Sequence, residues 1–363
     1  MKVALIVDQP HWTGIGTYAV ALKDLLSRYI DEVKLFYVGA VEDDISSYEP
    51  TPYLRRTRLL ILRPSTIRYN YRKIVGDSSL DGYLLHYLGT DFYPLKYKRG
   101  VITIHDLIRD KFDFSFSFHP TKLLDYLERY RKFKQNLKLY PSSTGIVAIS
   151  KKTMNDIKIE TGLDSTIIHH WIANEKFKER SKDQAIRQLD LDPDLKYILS
   201  VGNDRKTKRL DLVKMFSDML PQNYKLIKIG APIESINALN VKQVSDDKYP
   251  MFFDASEALV HLSEDEGFGR PMIEAISSGI PVICREKPIN VELMGGSAIY
   301  VKERFTKEDV GHIVEDLDHT DFRIRLGDRI NVQRKMFNVD DAARKYVDFY
   351  KRYYVPTISK DSR

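Results

Sequence analysis

Short apolar runs alternate with longer amphipathic stretches along this chain, and the whole pattern occurs twice. Such a rhythm is that of βα units, in which a parallel sheet is covered on both faces by its crossover helices. In the first half the strand-like runs are "VALIV", "VKLFYV", "YLLHYL", "VITIH", "GIVAIS" and a sixth, "TIIHH". Helix patterns lie between them, notably "TYAVALKDLLSRY" and "PTKLLDYLERYRKFKQNL". The second half gives "YILSVG", "YKLIKIG", "NVKQV", "ALVHLS", "PVICR" and "AIYV", again separated by helices. A polar interval, residues 174–195, divides the halves, and 363 residues exceed what one core comfortably fills. Two doubly wound α/β domains follow, residues 1–172 and 173–338, with a break near residues 171–178. An amphipathic segment, 339–363, comes last, and Asn338 is placed to cap the helix in "NVDDAARKYVDFYKRYY".

At 43% hydrophobic and 30% charged, the composition excludes disordered and fibrous classes. The opening "MKVALIVDQP" has too short an apolar run for a signal peptide or a membrane span, and reads as a first strand. Cys284 is the only cysteine, which rules out an internal disulfide, a Cys-based zinc site and a CxxC redox pair and fits a reducing cytoplasm. The net charge of +6 is unevenly spread: residues 53–76 carry Arg55, Arg56, Arg58, Arg63, Arg68, Arg72 and Lys73 with no acid. Nucleic acid, anionic lipid head groups and phosphorylated substrates all suit such a patch, as does a solvated basic face. With no zinc-finger or RNP-type motif in the chain, nothing else favours nucleic acid.

The densest chemistry lies in "LVHLSEDEGFGRPMIEAISSG", residues 259–279. There "ALVHLS" ends a strand, "EDEGFG" is a loop whose glycines bare the backbone amides, and Pro271 sits where a helix takes its first residue. Free amides and the positive end of a helix dipole together make an anion site that suits a diphosphate. Glu274, read in the first helical turn, can accept from the two hydroxyls of a ribose. Glu266, in the loop, can hold sugar hydroxyls or meet positive charge developing on a sugar ring. The structural alternative is that Glu274 only compensates the helix dipole and that Gly267 and Gly269 only make a turn.

Three other stretches bear on that choice. "VGNDRKTKRLDLVKMF" also runs from a strand end into a helix and places Arg205, Lys206, Lys208 and Arg209 where cations hold phosphates. "WTGIGTYAVAL" follows the first strand, and its Gly14 and Gly16 let backbone approach a ligand, while the missing third glycine argues against a nicotinamide dinucleotide. "ITIHDL" sets His105 and Asp106 at the carboxyl end of another first-domain strand.

On these residues the chain resembles the glycosyltransferases of family 4, retaining nucleotide-sugar enzymes, over nearly its whole length. The family signature is two glutamates separated by seven residues, and "EGFGRPMIE" supplies Glu266 and Glu274 with Gly-Phe-Gly and Pro between them. Downstream, Gly279, Pro281 and Glu292 keep the family register. The resemblance implies the GT-B fold: two Rossmann-like domains facing each other across a cleft, with the C-terminal helix returning to the first. It implies that Glu274 binds the ribose and Glu266 the donor sugar, and that the amides of Phe268 and Gly269, beside Gly267, meet sugar and phosphate oxygens. Lys208 takes the position of the lysine that holds the leaving diphosphate, with Arg205 as its nearest arginine although at an unusual offset. Gly14 and Gly16 match the first-domain glycine loop, His105 matches the histidine facing the donor sugar, and Asn203 and Gly230 complete the donor-binding set. Glu266, His105 and Lys208 are thus the expected catalytic residues. Two positions depart from the family: "IANEKF" replaces the usual interdomain element, and Gly296 of "GGSA" replaces an acid.

The implied activity moves a hexose of the mannose or glucose class from a GDP- or UDP-linked donor to a glycan or lipid-linked acceptor. No metal and no other cofactor is expected, and the departing phosphate takes the acceptor proton. A cytoplasmic enzyme is expected, with no nucleic-acid partner. The basic patch and "YLERYRKFKQNLKLYP" would dock it on the cytoplasmic face of an anionic membrane. The rivals are a sugar-nucleotide 2-epimerase, which the intact glutamate spacing opposes, and a non-catalytic nucleotide-sugar-binding subunit, which retention of both glutamates, Lys208 and His105 opposes.

Overall fold

The computed structural model describes residues 1–9, 13–38, 77–89, 100–107, 145–172 and 180–354. The basic run 53–76, the helix pattern at 120–137, "YLERYRKFKQNLKLYP" and all of "IANEKF" beyond Ile172 lie outside those residues. The chain divides into two compact units, Met1–His169 with Asp340–Arg363, and His170–Val339.

The first unit holds a parallel sheet of β1 (Lys2–Val7), β2 (Glu32–Tyr37), β3 (Tyr83–Tyr87), β4 (Gly100–Ile104), β5 (Gly145–Ala148) and β6 (Thr166–Ile167), in the order β2-β1-β3-β4-β5-β6. Val3, Ala4, Leu5 and Ile6 are all fully buried, as a strand covered on both faces requires, and the run is apolar throughout for that reason. The first helix, Gly14–Leu26, begins before the predicted pattern. Gly14 and Gly16 therefore stand in its first turn and not in a glycine loop. The Thr13 side chain caps it by accepting from the Gly16 amide at 3.1 Å, and burial of Tyr18, Ala19, Leu22, Leu25 and Leu26 outweighs the poor helix propensity of two glycines.

The last helix among the described residues, Val339–Tyr353, starts directly after Asn338 and from Asp340 onward belongs to this unit. It buries Ala342, Ala343, Tyr346, Phe349 and Tyr350. Their polar ends are met: the Tyr346 and Tyr18 hydroxyls pair, the Tyr350 hydroxyl lies 2.6 Å from Nδ1 of His86, and the Thr103 hydroxyl lies 2.8 Å from Nε2 of the same ring. Burial, with a smaller push from His105, lowers the His86 pKa to about 3, so this imidazole is neutral at ordinary pH.

The second unit is a parallel sheet of β7 (Lys196–Gly202), β8 (Tyr224–Gly230), β9 (Ala238–Val241), β10 (Ala258–His261), β11 (Val282–Arg285) and β12 (Ala298–Val301), ordered β12-β11-β10-β7-β8-β9. Ile198, Phe216, Leu226, Val260, Ile283, Val310 and Val314 fill one face. Strand β9 lies at 238–241 and not at "NVKQV", two residues further on. Asn240 explains the shift, because its side-chain amide both accepts from the Ile233 N–H and donates to the Ile233 carbonyl, at 3.0 Å each, fixing the incoming loop against this edge strand. The order in which strands are added reverses between β7 and β10, so the connections that leave those two parallel strands diverge and open a crevice at their carboxyl ends, the usual ligand position in doubly wound sheets.

Candidate functional site

The β7 loop opens with Asn203, whose Oδ1 accepts from the Arg205 amide at 3.3 Å, and continues through a single 3-10 turn, Lys206–Lys208. Asn203, Arg205 and Lys206 are exposed, whereas Lys208 turns inward. Its Nζ lies 2.5 Å from Oε1 of Glu266 in the β10 loop. The two loops are also tied by backbone, since the Glu264 amide donates to the Thr207 carbonyl at 2.7 Å.

His261, the last residue of β10, completes this centre. Its Nε2 stands 3.2 Å from the same Oε1 of Glu266, and its side chain is almost wholly buried. Sequence reading missed it, because one histidine inside the apolar "ALVHL" reads as core; its place at the end of a strand flanking the reversal was the available signal. Burial alone would raise the Glu266 carboxyl, but the Lys208 charge and the His261 contact override burial and hold it well below the usual carboxylate range. Glu266 is therefore an anion with one cation already on it.

Beneath the β7 loop, Lys228 is fully buried and donates to the carbonyls of Gly202 at 2.8 Å and Ile229 at 2.9 Å. Burial, and secondarily Lys208, pushes its ammonium down to about 8. The Gly202 carbonyl is crowded from a second side, since a Cβ on Gly230 would stand 2.4 Å from it. Gly230 has φ +98°, so this position needs glycine for both conformation and space. Its part is to let β7 and β8 approach.

Gly269 does the same for the β10 loop: with φ +81°, a Cβ there would meet Met272 Cε at 2.5 Å and His261 Nε2 at 3.6 Å. Phe268 anchors the loop with a buried ring, 4.6 Å from His170 and 6.0 Å from Phe337 between centroids, so the ring serves packing. The helix that follows is Arg270–Ser277, so Pro271 is its second residue and Glu274 its fifth. Glu274 is thus not in the first turn, because the chain enters the helix at Arg270, directly after the left-handed Gly269. One turn in, Glu274 has partners of its own: the Tyr249 hydroxyl donates to Oε2 at 2.8 Å, and an Arg270 guanidinium nitrogen lies 3.5 Å from Oε1. Burial and the Glu274 charge push the Tyr249 hydroxyl up, which keeps it a donor.

His105 lies in the first unit, past the end of β4. It is buried, its Nε2 is 3.1 Å from the Leu88 carbonyl, and it meets the Tyr18 ring edge-on at 4.9 Å. Gly14 has nothing within 4 Å of where a Cβ would stand, so no crowding demands glycine there. Of the residues singled out in the sequence, the fold brings Lys208, Glu266, Gly267, Phe268 and Gly269 into one crevice, with Glu274 a turn beyond and Asn203 and Arg205 on the exposed rim.

An ion pair, a neighbouring imidazole and a glycine loop entering a helix make a place where an anion and a polyol can be held side by side. The model for "Glycosyl transferases group 1" matches residues 181–306, which contain these loops. Over 93% of this chain and 96% of the relative, the sequence is 23% identical to the O-antigen chain mannosyltransferase B of Escherichia coli. Among solved structures, the sucrose-phosphate synthase of Thermosynechococcus elongatus is similar at TM-score 0.73 and 16% identity, covering 97% of this chain and 98% of that one. Anabaena Alr3699/HepE, in complex with UDP-glucose, is similar at TM-score 0.70 and 14% identity, covering 97% and 99%. The fold is GT-B, and the chain is a glycosyltransferase.

Proposed function

We propose that this glycosyltransferase moves a hexose, mannose foremost, from a nucleoside diphosphate donor to a glycan or lipid-linked acceptor with retention of configuration at the anomeric carbon. The observation that carries this reading is the Lys208–Glu266 pair, 2.5 Å apart, in the crevice where the second sheet reverses. The O-antigen mannosyltransferase relative supports mannose and a glycan acceptor, and the neighbour with UDP-glucose supports a nucleotide sugar.

Breaking an anomeric bond to a diphosphate leaves negative charge on the phosphate and positive charge on the ring. Lys208 sits to take the first and Glu266 to face the second. When a diphosphate arrives, Lys208 gains a second anion, and Glu266 keeps His261 while its free lone pairs accept from sugar hydroxyls. Groups aimed at developing charge are usually the largest catalytic term, and removing one such donor costs roughly 3–4 kcal/mol. Lys208, Arg205 and the amides of Phe268 and Gly269 supply the positive charge that a metal would bring, so transfer proceeds without one. Glu274, steadied by Tyr249 and Arg270, holds the ribose. The basic run at 53–76 is where the protein would meet an anionic membrane surface; among the described residues no helix is long and apolar enough to cross one.

A panel of GDP- and UDP-linked hexoses, with and without acceptor glycans and with excess chelator, tests the proposal. Free nucleoside diphosphate should appear only with both donor and acceptor, chelator should leave the rate unchanged, and NMR couplings should show the donor's anomeric configuration in the product. Release without acceptor would favour the 2-epimerase reading, and an inverted product would rule out retention.

A further inference from the structure

The two loops that hold Lys208 and Glu266 are joined by a second ion pair. Arg209 NH1 stands 3.2 Å from Oε2 of Glu264, so neighbouring residues of the β7 loop reach two carboxylates spaced two apart on the β10 loop. Glu264 is gripped from its other side by Arg285 NH1, 2.5 Å from Oε2, and by Lys287 Nζ, 2.8 Å from Oε1. Arg285 ends β11 with only 1% of its side chain exposed, its other terminal nitrogen pairs with Glu303 beyond β12, and Asn290 donates to its carbonyl at 2.9 Å. Burial would raise the Glu264 carboxyl, but Lys287 and Arg285 bring it down to about 2. One carboxylate therefore connects the carboxyl ends of β7, β10 and β11.

The backbone of Arg209 is an independent observation. Its φ of 47° and ψ of 53° are left-handed, a conformation that is costly for a residue bearing a side chain and free for glycine. Among the described residues only Asp190 and Arg209 adopt positive φ without being glycine, and aspartate tolerates that region far better than arginine. The strained residue lies between Lys208 and the first residue of the helix Leu210–Asp218. Its guanidinium is held in turn by Asp211, with Nε 2.9 Å from Oδ1 and NH2 2.7 Å from Oδ2, and by Glu264.

We infer that Arg209 and Glu264 are positioning residues for the transfer reaction: their bridge fixes the turn that aims the Lys208 ammonium, and arginine is kept at a glycine-shaped position because that turn needs the guanidinium. The inference rests on Lys208 acting on the departing diphosphate. Arg209→Gly is the decisive variant, since it relieves the backbone and removes the bridge. A bridge with a merely structural role would show its loss in the melting temperature and not in kcat at a temperature where the variant is folded.

The melting temperature of Arg209→Gly should be no lower than wild type, its kcat should fall about tenfold or more, and its donor KM should stay within about threefold, because misplacement of a transition-state group appears in kcat. Glu264→Gln should lower kcat in the same direction, and Arg209→Lys, which keeps the charge without the fork, should fall between wild type and the glycine variant. A kcat for Arg209→Gly within twofold of wild type overturns the inference, as does a loss that appears only with a lower melting temperature. Lys208→Ala assayed alongside separates the two failures. If it keeps full turnover, the reading of the site fails; if it loses turnover while Arg209→Gly does not, only the positioning role fails.

Discussion

In the first sheet the polar groups near the carboxyl ends of the strands are sealed. Asp8 is fully buried and accepts from the Tyr87 hydroxyl at 2.8 Å, His86 lies between Tyr350 and Thr103, and His105 meets a backbone carbonyl. At the same ends of the second sheet they are charged, paired and within reach of solvent: Lys208 and Glu266 keep 19% and 13% of their side-chain exposure, and Arg209 and Glu264 keep 28% and 26%. Both sheets are parallel and reverse their strand order once. Buried groups that already hold one another fix their neighbours in place. A partly exposed ion pair can trade one partner for an incoming charge without leaving either charge unpaired.

That contrast can be broken most sharply at Lys208. Lys208→Ala should lower kcat about 10²–10³-fold, the loss typical of a group facing transition-state charge. Steady-state kinetics against a donor series measures it, and a variant that changes donor KM alone would make the charged end as static as the sealed one. Tyr350→Phe probes the other side. It strips a partner from a buried imidazole and should lower stability by about 1–3 kcal/mol in urea unfolding, with kcat and donor KM unchanged. If catalysis falls instead, the sealed network is part of the machinery.

Acid titration sharpens the same point. His86 has a folded pKa of about 3 against an ordinary 6.5, so below 6.5 the unfolded chain binds a proton that the folded one refuses. Stability should therefore fall as pH drops from 6.5 toward 3, by up to about 1.4 kcal/mol per pH unit from this group, and level off below. Unfolding of His86→Gln should lack that component, and an identical pH slope in the variant would mean the ring is not held neutral. The smallest effect belongs to Tyr249→Phe. Losing one hydrogen bond to Glu274 should raise donor KM a few-fold, equivalent to about 1 kcal/mol, with kcat unchanged.

The doubly wound architecture was legible because parallel strands buried on both faces must be apolar throughout, and eleven of the twelve runs quoted from the sequence coincide with or overlap their strands closely. Strand β9 slipped because an edge strand with exposed Leu239 and Asn240 has no apolar run to mark it, and its register rests on a side-chain amide bonding back to Ile233. The helix start at Gly14 was hidden by reading glycine as loop, when a threonine cap and a buried face decide the matter. Lys208, Glu266 and the glycine loop were visible since each follows a strand within a few residues. His261 was not, because a histidine inside an apolar run reads as core, and Arg285 and Lys287 were not, because what makes them partners of Glu264 is the adjacency of β10 and β11, which no local spacing encodes.

The helix Val339–Tyr353 has a consequence for how the protein is made. His86 and Tyr350 are 264 residues apart, so at about 5–20 residues per second a ribosome takes on the order of ten to fifty seconds to deliver the second after the first. All the strands of the second sheet emerge in that interval and can close on themselves. The unit synthesised first must wait, with the apolar surface meant for Phe349 and Tyr350 open to solvent and to other nascent chains. Demand for chaperone protection should thus peak while the second half is being translated, and it should end only when the final helix leaves the exit tunnel.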